Sequence, residues 1–137
     1  MILALAWFGA VANAQTPAKP LKDQLVGHWQ LVSVTFNGYP PYGNNPEGTM
    51  FLDAAGHYAV IVITGGEARS VGYYGTYTVN DADSTLTLHI DASTGVNNAA
   101  GRDQHRAISF NGDEMIQDNI RADGTKGSMK LTWKRAE

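Results

Sequence analysis

After residue 26, apolar and polar positions alternate with a period of two almost to the end of the chain. That period sends successive side chains to opposite faces of a β-strand. Eight runs carry it, at 29–36, 49–53, 58–64, 72–79, 85–91, 103–110, 114–120 and 128–135. Turn chemistry separates them: Asn37-Gly38, Asp53-Ala54-Ala55-Gly56, Asn80-Asp81-Ala82-Asp83, Asn111-Gly112 and Asp123-Gly124. In the fifth run Leu86, Leu88 and Ile90 share one face and Thr85, Thr87, His89 and Asp91 the other. The last run sets Met129, Leu131, Trp133 and Arg135 against Lys130, Thr132 and Lys134. The third is continuously apolar and reads as buried on both faces. Leu21 to Val26 is long enough for one helical turn, stopped by Gly27.

Short strands at regular spacing, without a long amphipathic helix, predict an all-β fold. The expected architecture is an eight-stranded antiparallel up-and-down barrel, because closing the sheet removes its unpaired edges. A Greek-key sandwich is the alternative and calls for longer connections. Eight strands is also a barrel size whose interior can hold one small ligand.

The first residues break this pattern. Ile2 to Ala12 is an uncharged apolar run, followed by Ala12-Asn13-Ala14, a small-x-small cleavage pattern. The run is shorter than the ~20 residues of a spanning helix, and no Lys or Arg precedes it. The expectation is a signal peptide at 1–14, a tether at 15–24 and a barrel domain at 25–137. A buried strand or a membrane anchor is the rival reading of the same run. The signal reading implies a periplasmic or secreted protein with no membrane insertion after cleavage, and the absence of cysteine excludes a lipid-anchored one.

Composition narrows the partners. Thirteen acidic against ten basic residues leave a net charge of −3, so no basic field exists for nucleic acid. With no cysteine in the chain, disulfides, thiolate metal sites and a cysteine nucleophile drop out. His28, His57, His89 and His105 form no metal-binding spacing. If the preceding loop centres on Asn97, His89 and His105 face each other on the outer surface. No serine sits in a nucleophile turn and no glycine loop is placed to cradle phosphate. No catalytic set, cofactor or metal is expected.

Gly27-His28-Trp29 opens the first strand and Trp133-Lys134-Arg135 closes the last. In a closed meander these strands are neighbours, so Arg135 can cover an inward Trp29. This pairing resembles the closed end of lipocalins, with Gly27, Trp29, Trp133 and Arg135 as its structural residues. Further segments narrow the resemblance: Pro41-Tyr42-Gly43-Asn44-Asn45-Pro46-Glu47-Gly48, Gly56-His57-Tyr58, Tyr73-Tyr74-Gly75-Thr76-Tyr77, His89-Ile90-Asp91, Arg106 and Asn111-Gly112-Asp113. Over residues 25–135 the chain is similar to the bacterial lipocalin-like domain family, and the proline loop is the most specific part of the match. The resemblance implies a calycin-type barrel that binds a small molecule. The family's Pro-x-Trp is missing from residues 95–101, so the aromatic that the family carries there at the barrel mouth is absent.

Arg106 shares a face with Ile108 and Phe110 and so points into the barrel. A buried cation needs a partner. Two readings stand: it binds a ligand anion such as a carboxylate, or Glu114 or Asp118 neutralises it from inside. All six tyrosines fall between 39 and 77, and their apolar bodies with polar tips suit an amphipathic pocket. Arg106, Tyr58, Tyr74, Tyr77 and Tyr42 are the expected ligand-binding residues, with at most one of Tyr74 and Tyr77 facing inward. The expected partner is a small hydrophobic or amphipathic molecule. The alternatives are an isomerase, cyclase or dehydratase using the same cavity, and a periplasmic protein-interaction module.

Overall fold

The computed structural model describes residues 19–63, 70–94 and 99–136. The signal-peptide segment at 1–14 lies outside the described residues. The chain forms α1 (Leu21–Leu25), β1 (Gly27–Phe36), β2 (Glu47–Leu52), β3 (His57–Ile63) and β4 (Val71–Asn80). It continues with β5 (Thr85–Ser93), β6 (Asp103–Asn111), β7 (Glu114–Ile120) and β8 (Lys126–Arg135). Each strand pairs antiparallel with its neighbours in sequence, and β8 returns to β1 to close the barrel. The fold is therefore the eight-stranded up-and-down barrel that the alternation predicts.

Turn residues set the register. Asn37 and Gly38 both take positive φ, as a two-residue turn matched to strand twist requires. Phe36 and Tyr39 exchange backbone hydrogen bonds across it, at 2.7 and 3.0 Å. The β6–β7 turn falls one residue later than Asn111-Gly112 suggests, because Asn111 pairs with Glu114 and the loop is Gly112-Asp113. The β5–β6 register corrects another expectation. His105 lies opposite Thr87 and His89 opposite Asp103, so the two histidines do not face each other.

Closure needs curvature, and register shifts supply it between Leu31 and Ser33, at Tyr74/Gly75 and between Asp118 and Ile120. β3 is not buried on both faces. Tyr58, Val60 and Val62 point inward, while Ile61 is 48% exposed on the outside. A barrel wall has water on its outer side, so an apolar run there does not imply a second buried face. Phe110 also departs from expectation: it is 38% exposed at the end of β6, although Arg106 and Ile108 are buried.

The barrel's closed end is built around α1. Leu21 and Leu25 are buried in the core, so the helical turn belongs to the barrel rather than to the tether expected at 15–24. The Leu21 amide donates to Asp81 Oδ1 at 2.7 Å, tying α1 to the β4–β5 turn. The last carbonyls of a helix have no partner within it, and here side chains supply them. Trp29 Nε1 donates to the Leu25 carbonyl at 2.8 Å. Arg135 Nη1 donates to Val26 at 2.9 Å and Nη2 to Gln24 at 2.6 Å. The Arg135 guanidinium lies 4.3 Å from the centre of the Trp29 ring. Gly27 leaves room for this arrangement, because a Cβ there would meet Arg135 Nη1. The spacing of glycine and tryptophan thus has a steric reason: one admits the guanidinium and the other is covered by it.

Candidate functional site

At the opposite end, the barrel opens into a cavity of about 450 Å³, within the usual size range of small-molecule sites. Val34, Val62 and Leu131 form apolar walls, and Phe36, Tyr39 and Tyr42 stand around the mouth. The lining also holds polar groups, the buried Arg106 with Gln104 from β6 and Tyr73 from β4. These come together because odd residues of β4 and even residues of β6 face the interior.

Arg106 is 7% exposed. Its Nη2 donates to Gln104 Oε1 at 3.0 Å, and its Nη1 makes a long 3.4 Å contact with the His105 carbonyl. Tyr73 lines the same cavity as this guanidinium. Burial pulls the Arg106 pKa below its ordinary value, and the Tyr73 and Tyr58 phenols offset part of that pull. A guanidinium starts from so high a pKa that it remains charged at neutral pH.

The internal-acid reading of Arg106 does not hold. Met115 and Gln117 are the buried residues of β7, which puts Glu114 and Asp118 on the outer face by alternation. Asp118 pairs with Lys126 at 3.4 Å, and across the wall Arg106 faces neutral Asn119. Among the described residues no carboxylate forms an ion pair with Arg106.

The expected tyrosines separate. Tyr42 lines the cavity with Arg106. Tyr74 is 56% exposed on the outer surface. Tyr77 is buried at the closed end, where its hydroxyl donates to the Asp53 carbonyl. Tyr58 points inward but is not on the cavity lining. It is buried in the core beneath the cavity, edge-on to Tyr73 at 6.0 Å between ring centres. Strand parity places Tyr77 inside and Tyr74 outside, and position along the strand puts Tyr77 at the wrong end for the cavity. Of the lining residues only Arg106 and Tyr42 belong to the set that the sequence singles out, and Tyr73 and Gln104 are among those it missed. Parity carries the missing signal, since Tyr73 shares a face with Tyr77 and Gln104 with Arg106. Gln117, buried with only Met50 and Met115 sulfur atoms beside its amide at 3.8 Å, is a further polar residue of the interior.

The Tyr58 hydroxyl is buried without a hydrogen-bond partner among the described residues. Tyr58→Phe is therefore expected to raise stability by about 1 kcal/mol at neutral pH, since an unsatisfied hydroxyl leaves the core. Burial also pushes the Tyr58, Tyr73 and Tyr77 phenols above their ordinary value. A raised acid keeps its proton in the folded state after the unfolded chain has lost it. The contribution is thus complete below about pH 10 and falls away as pH rises above it. Urea unfolding across that range should show stability declining, less steeply in Tyr58→Phe. A midpoint lowered by the substitution at neutral pH would show that the hydroxyl has a partner.

On the outer wall, His89 Nδ1 and Asp103 Oδ1 lie 2.6 Å apart and His57 Nδ1 and Asp53 Oδ2 3.0 Å apart. Among the described residues no three histidine, aspartate or glutamate side chains are grouped to hold a metal ion. No described helix is long and apolar enough to cross a membrane.

No protein-family model matches the chain, and no curated protein matches it. Among solved structures it is similar to a crystal structure of an uncharacterised protein from Bacteroides eggerthii, with a TM-score of 0.51 and 12% identity. The likeness covers 82% of this chain and 99% of that one. What the two proteins share is the fold.

Proposed function

We propose that the protein binds a small, partly hydrophobic molecule in the open end of its barrel, as an exported lipocalin-like protein of the periplasm or the extracellular medium. One observation carries the binding reading: the cavity of about 450 Å³ has apolar walls and an aromatic mouth, and its lining includes the buried Arg106 with Gln104 and Tyr73. Sites that hold small amphipathic molecules are made this way, with apolar area for affinity and a few placed polar groups for orientation. The apolar segment at 1–14 with its Ala12-Asn13-Ala14 ending supports export. The closed-end residues Gly27, Trp29, Trp133 and Arg135 support the lipocalin-like assignment. An isomerase, cyclase or dehydratase would need an acid–base group tuned toward neutrality. Burial instead pushes the Tyr73 phenol further from it.

Titration with Nile red, a neutral solvatochromic dye, tests the binding reading. The folded protein is expected to take up one dye per chain, with a blue-shifted emission that a competing amphiphile reverses. Val71→Trp, which fills the cavity from its wall, is expected to abolish uptake while the far-ultraviolet spectrum stays that of the wild type. Uptake that survives Val71→Trp unchanged would place the dye elsewhere on the molecule and count against the cavity.

A further inference from the structure

We infer that the cavity selects a monocarboxylate that enters head first, its carboxylate held by Arg106 and Tyr73 and its apolar body reaching back to the aromatic mouth. The inference rests on the binding function proposed above and adds the ligand's head group, charge and direction.

The interior carries one described cation and no described anion to match it. Arg106 is 7% exposed, and its partners among the described residues, Gln104 Oε1 and the His105 carbonyl, are both neutral. Neutral acceptors satisfy N–H groups but leave the charge uncompensated, and an uncompensated charge away from water is costly. Arg106 lines a cavity with room for a counter-charge. Binding an anion there removes a cost that the empty barrel bears, so affinity is gained at that end and not at the mouth.

The shape and number of charges narrow the class. A guanidinium has five N–H donors in a planar fork that matches the two oxygens of a carboxylate. Gln104 and the long contact to His105 engage donors on Nη2 and Nη1. Tyr73 lines the same cavity as Arg106, and a phenol can donate its proton to a ligand oxygen. A single guanidinium balances one negative charge. A phosphate monoester dianion would leave a net charge buried in the same place and is disfavoured for the reason that favours the monoanion. The walls Val34, Val62 and Leu131 and the mouth residues Phe36 and Tyr42 carry no charge and suit an alkyl or aryl body.

The experiment displaces bound Nile red with three compounds that share a decyl chain: decanoate, 1-decanol and monodecyl phosphate, at about pH 8, where the phosphate is a dianion. Decanoate is expected to displace the dye at roughly tenfold lower concentration than decanol or more, as a charge-assisted pair implies. Its advantage should shrink as pH falls through the carboxylate range and the head group loses its charge. Arg106→Gln should level decanoate and decanol in their displacement of the dye. Equal displacement by decanoate and decanol in the wild type would overturn the head-group assignment and leave cavity binding standing. Stronger displacement by monodecyl phosphate would overturn the monoanion. Failure to take up Nile red at all would remove the binding reading and this inference with it. The head-group comparison and the pH series use the wild-type protein, so the test holds even if Arg106→Gln fails to fold.

Discussion

Trp29→Ala is expected to cost about 3–5 kcal/mol of folding stability, the range for removing a buried large aromatic side chain. Trp29 is 2% exposed, so nearly its whole surface leaves water on folding. The indole also closes a small circuit: Nε1 satisfies the Leu25 carbonyl, and the ring supports the guanidinium that satisfies Gln24 and Val26. Without it, three carbonyls at the end of α1 lose a partner or the platform that holds one. Leu21 and Leu25, packed under the barrel by that helix, loosen with them. Against a typical total of ~5–15 kcal/mol, such a loss leaves little margin. Urea unfolding followed by far-ultraviolet dichroism measures it, with an unchanged slope required for the comparison. A loss below about 1 kcal/mol would show that the closed end is held by something other than Trp29.

Gly75→Val should be at least as damaging, by a different mechanism. A Cβ at Gly75 would run into the His89 carbonyl and the Asp91 amide, both backbone atoms of β5. A flexible side chain could swing aside, but paired backbone cannot without breaking the sheet. The glycine sits where the β4–β5 register shifts, Tyr74 lying opposite Ala92 and Gly75 opposite Ile90. There the strands approach closely enough to bend the wall, and glycine is the residue that such an approach admits. Overpacking of cores costs roughly 1–3 kcal/mol where side chains can adjust. With backbone on the far side the expected loss lies at or above the top of that range. The measurement is the yield of soluble protein together with its thermal midpoint, and a variant within a few degrees of the wild type would contradict the close approach.

Both substitutions act on the scaffold and not on the cavity lining. A partly active Trp29→Ala protein is expected to retain its preference among head groups, since Arg106, Gln104 and Tyr73 line the cavity at the end of the barrel away from α1. The separation follows from the architecture: one end of the barrel is closed by the helix, and the other presents the cavity.

Much of this layout is legible in the residues themselves. Period-two alternation and the punctuation at Asn37-Gly38 or Asp123-Gly124 locate eight strands, because each strand's faces are set by local backbone geometry and by which side chains leave water. The inward direction of Arg106 and the meeting of Trp29 with Arg135 follow from alternation plus closure. Alternation alone does not say how far along the barrel a side chain sits. Tyr77 and Tyr73 have the same parity, yet one lies at the closed end and the other on the cavity. Nor does it give the residue opposite, which depends on the pairing register: Arg106 lies beside Asn119, with Glu114 and Asp118 on the outer face of the wall.

The chain's own alternation and turn residues therefore determine a closed eight-stranded sheet with a tryptophan and an arginine at one end. Tertiary structure alone decided that the opposite end holds a cavity, and that the cation lining it meets Gln104 but no described acid. The physical reason is range. Strand identity is written in neighbouring residues, whereas a cavity and a buried charge's surroundings depend on where bulges and pairings bring side chains from eight separate strands.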